Sequence, residues 1–242
     1  MSIIEQKPRF EAPAVVHSFS GLLFDMDGTI IDSTNAIIKY WSRIGNQIGI
    51  DPDVILATSH GRRSIDVLGL HDPKLANWDY VKYQEGLIPK EFGADAVELP
   101  GSRSLLNQLE EAGAPWAIVT SGTTSLVTGW LDILKLAHPK HLVSAEDVPR
   151  GKPDPACYLL GKKKLNLPDD GEVLVFEDAP SGIKAGKAAG FKVVAVATSH
   201  AIESLKEAGA DWILRDLSSV TMTEWDSKTQ EVRIEIRNAL IT

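Results

Sequence analysis

Five short stretches, GLLFDMD, WAIVTS, EVLVFED, FKVVAVATS and ADWILRD, contain runs that are apolar at almost every position, with helical patterns between most of them. A strand with one wet face alternates apolar and polar residues, whereas a strand covered on both faces does not. The pattern therefore predicts an α/β fold: a doubly wound, Rossmann-like parallel sheet with helices on either side. Between the first run and WAIVTS the character changes. In TNAIIKYWSRIGNQIG, Ile37, Trp41, Ile44 and Ile48 recur at helical spacing, which makes Trp41 a core residue. Helical patterns continue to about Phe92, and Pro100-Gly101 punctuates the return. Residues 34–99 are thus expected to form a helical cap inserted into a core of residues 19–33 and 100–242. Residues 1–18, with charges and prolines, read as a tail. EVRIEIRN, which alternates Val232, Ile234 and Ile236 with polar neighbours, reads as an edge or hairpin strand.

Composition narrows the class. The chain has 242 residues, 43% of them apolar and 24% charged, with a formal net charge of -8. That balance suits a hydrated globular protein and argues against a general nucleic-acid surface, which gathers Lys and Arg. A small anionic ligand would need a local positive site, such as a divalent cation with a few basic side chains. The single cysteine, Cys157, excludes an intrachain disulfide and a thiolate metal cluster, and its place at a helix start suits a buried small hydrophobe. The first residues lack the long apolar run of a signal peptide or membrane helix. The expectation is a cytoplasmic protein, monomeric, with no membrane or nucleic-acid partner.

The chemistry gathers at strand ends. FDMDGTIIDS places Asp25 and Asp27 at the end of a buried run, with Gly28 allowing a sharp exit. Two acids in a water-poor cleft repel each other, and a hard cation such as Mg²⁺ would offset the repulsion. A third carboxylate is then expected nearby, and VLVFEDAPSG supplies Glu177 and Asp178 after another buried strand. Thr120, Ser121 and Gly122 end WAIVTSGTTS before a helix, offering a hydroxyl and backbone N–H groups to a phosphate. Lys152, in RGKPDP, adds a point charge. Open parallel sheets bind ligands where these loops leave the sheet, near a topological switch point. GIKAGKA has the wrong spacing for a P-loop, and Ala follows Lys187.

An acid pair, Thr, Lys and a second acid pair, in that order at successive strand ends, closely resemble the four motifs of the haloacid dehalogenase-like hydrolase superfamily from about Ser20 to about Asp216. The resemblance implies that Asp25 is the nucleophile and Asp27 the general acid and base. It also implies that Thr120 and Lys152 hold the phosphoryl group and that Glu177 and Asp178 hold Mg²⁺. Asp25 would ligate the ion through its side chain and Asp27 through its backbone carbonyl. A dehalogenase of this fold typically lacks the second aspartate and needs no metal. The insertion resembles a subclass I cap, which reads the departing part of the substrate. There ATSHGRRSIDVL offers His60, Arg62 and Arg63, with Arg63 favoured over Arg62 as the residue meeting substrate. SHGRRS, ELPG, GKPDP and VFEDAPSGIKAGKAAG are most similar to the glycerol-3-phosphate phosphatases and 2-deoxyglucose-6-phosphate phosphatases. The implied activity is hydrolysis of a small polyol or sugar phosphomonoester, glycerol phosphate favoured. Arg62 stands where the glycerol-phosphate group commonly has an aromatic residue, which keeps deoxyhexose and other sugar phosphates as the alternative. A mutase related to β-phosphoglucomutase shares nearly all of these residues.

Overall fold

The protein is described here by a computed structural model covering residues 8–241. The chain begins with β1 (Val15–Phe19), β2 (Gly21–Phe24) and β3 (Ile31–Asp32). Four helices follow: α1 (Thr34–Ile48), α2 (Pro52–Ser59), α3 (Ser64–His71) and α4 (Trp78–Phe92). After β4 (Val97–Glu98) come α5 (Ser102–Ala112), β5 (Trp116–Val119), α6 (Thr124–Leu134) and β6 (His141–Val143). The chain continues through α7 (Ala156–Lys164), β7 (Val173–Glu177), α8 (Pro180–Ala188), β8 (Lys192–Val196) and α9 (Ile202–Glu207). It closes with β9 (Trp212–Leu214), β10 (Val220–Asp226) and β11 (Glu231–Ile236).

The five apolar runs form β2, β5, β7, β8 and β9 of a six-stranded parallel sheet, ordered β6-β5-β2-β7-β8-β9. Alternate residues serve opposite faces, so one run feeds two cores. Leu22, Phe24, Trp116, Ile118, Leu174 and Phe176 join one core, which includes Leu105 and Leu109 of α5 and Val232 and Ile234 of β11. Leu23, Ala117, Val119, Val173 and Val175 join the other, with Tyr158 of α7 and Ile183 of α8. The rings of Phe24 and Phe176 stack at 4.5 Å between adjacent strands, a contact worth about 0.5–1.5 kcal/mol beyond its buried area. From β2 the chain moves to β5 and β6 on one side, then returns to β7, β8 and β9 on the other. The carboxyl ends of β2, β5 and β7 are therefore neighbours at a switch point.

Two sequence expectations change. Residues 1–7 lie outside the described residues, but the rest of the 1–18 stretch is not a tail: β1 pairs antiparallel with β11, and the N–H of Ala12 donates to Ala239 at 3.0 Å. β11 forms a hairpin with β10 as expected, yet it is the centre of a three-stranded sheet rather than an edge. Its alternation is real, with Val232, Ile234 and Ile236 buried, but a wet face does not reveal how many strands flank it.

Helices α1–α4 occupy residues 34–92, and the pair β3-β4 ties the two ends of this stretch together. In α1, Tyr40, Trp41 and Ile44 are buried, and Gly49 in the left-handed conformation ends the helix. Cys157 is buried in α7. No helix among the described residues is long and apolar enough to cross a membrane.

Candidate active site

The site is built on the end of β2. The Asp25 N–H donates to Phe176 O at 2.9 Å, which holds the residue in sheet register as its side chain enters the cleft. The chain then turns away through Gly28, whose φ of +90° suits glycine, and a Cβ there would collide with the Asp178 carboxylate. This turn brings Asp27 back to the cleft, where the Ser33 hydroxyl donates to its Oδ1 at 2.5 Å.

Lys152 reaches the same floor from the loop before α7. Its Nζ donates to Asp25 Oδ1 at 2.5 Å, to Glu177 Oε1 at 2.7 Å and to Val119 O at 3.2 Å. Burial opposes the ammonium charge, but Asp25 and Glu177 more than offset this and raise its pKa, so Lys152 stays protonated. Glu177 Oε1 also accepts from the Tyr158 hydroxyl at 2.7 Å, while its Oε2 accepts the N–H groups of Asp178 and Ala179 at 3.0 and 3.1 Å. All four acceptor positions of this carboxylate therefore face protein donors. Glu177 thus anchors Lys152 here, and direct ligation of a cation would require it to release one of these donors.

Asp25, Glu177 and Asp178 each offer an oxygen, and the three oxygens lie within 4.8 Å of one another. Burial pushes the Asp25 carboxyl well up, with Glu177 and Asp178 adding to the effect and Lys152 opposing it. Burial, then the Glu177 charge, raises Asp178 to about 7, against a hydrogen bond from Ser199. One ammonium among three buried acids leaves excess negative charge. Oxygen donors with that excess fit a hard dication, and the second oxygens of Asp25 and Asp178 accept no hydrogen bond from the described residues. The Asp27 carboxylate stands outside this cluster, as a residue offering its backbone carbonyl would. Burial raises the Asp27 pKa, which favours the protonated form an acid needs.

At the end of β5, Thr120, Ser121 and Gly122 line the cleft beside these groups. Thr120 Oγ1 accepts the Gly122 N–H at 3.0 Å, and the Ser121 hydroxyl donates to Gly61 O of the cap at 3.0 Å. His60 and Arg62 line the cleft from the cap. His60 meets His200 edge-on at 5.7 Å. The preference for Arg63 is corrected: its guanidinium is buried and turned to the core. There it bonds Asp66 at 2.8 and 2.9 Å and the carbonyls of Ala145, Val148 and Pro149 at 3.3, 2.8 and 3.3 Å. Arg62 is the exposed cation facing the cleft, and Arg63 fastens cap to core.

Among the cap residues in this cleft that sequence reasoning missed are Tyr40, Ser64 and Glu85. Glu85, 2% exposed, accepts from the Ser64 hydroxyl at 2.5 Å and from the Thr123 N–H at the start of α6 at 2.7 Å. A signal existed. Val81, Glu85 and Ile88 fall on one helical stripe of α4, so Glu85 interrupts a buried face.

Comparison with known proteins accords with this geometry. Residues 22–196 match the family model described as haloacid dehalogenase-like hydrolase. The chain is 40% identical over 220 residues to glycerol-1-phosphate phosphohydrolase 1 of Saccharomyces cerevisiae, covering 88% of each chain. It is 36% identical over 240 residues to the same organism's 2-deoxyglucose-6-phosphate phosphatase 2, covering 90% of this chain and 95% of that one. A solved hydrolase from Pseudomonas syringae superposes with a TM-score of 0.71 at 26% identity, covering 82% of this chain and 94% of the other. With its core residues set at the switch point of a parallel sheet and this likeness spanning most of its length, the chain belongs to the haloacid dehalogenase-like hydrolases.

Proposed function

We propose that this chain, a phosphoric monoester hydrolase, releases phosphate from a small polyol phosphate, glycerol phosphate foremost, through a phospho-aspartate on Asp25. The observation that carries the reading is the convergence of Asp25, Asp27, Thr120 and Lys152 with the Asp25-Glu177-Asp178 cluster on one cleft floor. The 40% identity to a glycerol-1-phosphate phosphohydrolase, against 36% to a 2-deoxyglucose-6-phosphate phosphatase, supports the smaller substrate.

In this reading an Asp25 oxygen attacks phosphorus in line and the bond to the leaving oxygen breaks. Asp27 gives that oxygen its proton. The same carboxylate then takes a proton from water, which attacks the phosphoryl group, releases inorganic phosphate and restores Asp25. Lys152 and Thr120 hold the equatorial oxygens, where charge must be stabilised. Mg²⁺, held by Asp25, Asp178 and the Asp27 carbonyl with Glu177 beside them, would neutralise the repulsion between carboxylate and phosphate.

The test is phosphate release from glycerol-1-phosphate, glycerol-3-phosphate, 2-deoxyglucose-6-phosphate, glucose-6-phosphate and β-glucose-1-phosphate, with Mg²⁺ or EDTA. Release that needs Mg²⁺, is fastest on the glycerol phosphates and is lost in Asp25→Asn is expected. EDTA-resistant release, or full activity in Asp25→Asn, contradicts the mechanism. Conversion of β-glucose-1-phosphate to its 6-phosphate without free phosphate would make the protein a mutase.

A further inference from the structure

The cap side of the cleft holds a polar group that the phosphoryl chemistry does not use. Glu85 is buried in α4, and among the described residues no cation is hydrogen-bonded to it; its partners are the Ser64 hydroxyl and the Thr123 N–H. Ser64 and Thr123 do not fill the acceptor positions of the carboxylate, so it can still accept a ligand hydroxyl. Beside it, the Tyr40 hydroxyl is buried and has no hydrogen-bond partner among the described residues, though Ser64 lies close enough to influence it. Burial and the nearby Glu85 charge hold this phenol far above its usual range, so it stays a neutral O–H. Ile37, Trp41, Ile88 and Leu126 complete the apolar wall of the cleft. A buried acid and an unpaired hydroxyl in a cleft each carry a desolvation penalty unless a ligand satisfies them.

We infer that Glu85 and Tyr40 form the subsite for the departing alcohol, Glu85 accepting a hydroxyl and Tyr40 donating to one, and that Glu85 excludes leaving groups bearing a second negative charge. The inference rests on the polyol-phosphatase reading and specifies its substrate class: phosphomonoesters of neutral polyols, with carboxylated analogues refused. A hydroxyl brings the hydrogen that the carboxylate lacks. A carboxylate in its place brings a like charge up against Glu85; Arg62 lines the same cleft and Arg43 lies near Tyr40, but neither hydrogen-bonds Glu85, and a site built to bond one polar group discriminates strongly against another that leaves it unpaired.

Glycerol-3-phosphate and 3-phosphoglycerate make the test, because they differ by a hydroxymethyl group exchanged for a carboxylate. Both are assayed with Mg²⁺ at about pH 8, where Glu85 is mainly ionised. The wild type is expected to prefer glycerol-3-phosphate. In Glu85→Gln, which keeps the shape and places an N–H near the ligand, kcat/KM on glycerol-3-phosphate is expected to fall by about 10–100-fold, with the preference over 3-phosphoglycerate shrinking at least as much. Tyr40→Phe is expected to raise KM for glycerol-3-phosphate several-fold with little change in kcat. An unchanged preference in Glu85→Gln overturns the subsite even if both rates fall, since a structural defect lowers both alike. Should that variant fail to fold, an unchanged KM in Tyr40→Phe overturns it. Wild-type release from glucose-6-phosphate but from neither glycerol ester would remove the glycerol assignment, and release from none would remove the phosphatase reading with it. An active wild type whose preference is unmoved in Glu85→Gln overturns the subsite and leaves the phosphatase reading standing.

Discussion

Replacing Glu85 with Gln is expected to make the protein more stable above neutral pH while making it a poorer enzyme. Burial, the largest influence, raises the Glu85 carboxyl from an ordinary 4.5 to about 7; the Ser64 and Thr123 hydrogen bonds oppose this, and the Asp27 charge adds to it. Below the unfolded pKa the group is protonated in both states and carries no penalty. Between the unfolded value of 4.5 and the folded value of about 7 the unfolded chain ionises while the folded one keeps its proton, so stability is lost across that window and the loss levels off above it. That rise corresponds to roughly 3 kcal/mol, at about 1.4 kcal/mol per pH unit, fully expressed above about pH 8. Glutamine can accept the Thr123 N–H and bond Ser64 without ionising. Urea unfolding of both proteins at about pH 5 and pH 8 isolates the contribution of Glu85 and its coupling to Asp27, because groups that do not interact with Glu85 cancel in the difference. The variant should gain about 2–3 kcal/mol relative to wild type between those pH values. A difference that does not change with pH, or a variant less stable at pH 8, refutes the reasoning and assigns Glu85 to holding the cap in place.

Three further outcomes follow from the contacts. Lys152→Met removes the cation shared by Asp25 and Glu177; kcat should fall by about 10²–10³-fold, and urea unfolding in EDTA should show a loss of about 3–5 kcal/mol. Arg63→Ala orphans core carbonyls and should cost about 2–4 kcal/mol in the same assay, whereas Arg62→Ala, at an exposed position, should change stability by less than about 0.5 kcal/mol. If the buried acids hold Mg²⁺ as proposed, the ion should raise the melting temperature of the wild type, and clearly less so that of Asp178→Asn, which loses one of the three converging carboxylates.

What the sequence revealed follows from how strongly burial writes itself into a pattern. β2, β5, β7 and β8 carry fully buried stretches and stand out as apolar runs. β6, with only three residues and two of them half-buried at the sheet edge, leaves no such mark. β1 is hidden because Val15 and Val16 are exposed and prolines precede it; its pairing with β11 lies more than two hundred residues away in sequence. Asp25, Thr120, Lys152, Glu177 and Asp178 could be read from the order of the loops that carry them. The fourfold anchoring of Glu177 could not, because it depends on Tyr158 of α7 reaching beneath the sheet end. Arg62 and Arg63 are identical in type and adjacent, so only the turn into α3 decides which enters the cleft. Glu85 stands among polar residues in YVKYQEGLIPKEF, and only its helical phase with Val81 and Ile88 marks it as buried.

In the proposed reaction Asp25 accepts the phosphoryl group. It is tested most directly by mixing enzyme, Mg²⁺ and glycerol phosphate, quenching with acid within one turnover and weighing the peptide that contains Asp25. A mass gain of one phosphoryl group on that peptide, absent in Asp25→Asn, is the predicted result. Phosphate release at full rate with no phosphorylated peptide at any quench time would point to direct attack by water and contradict the account.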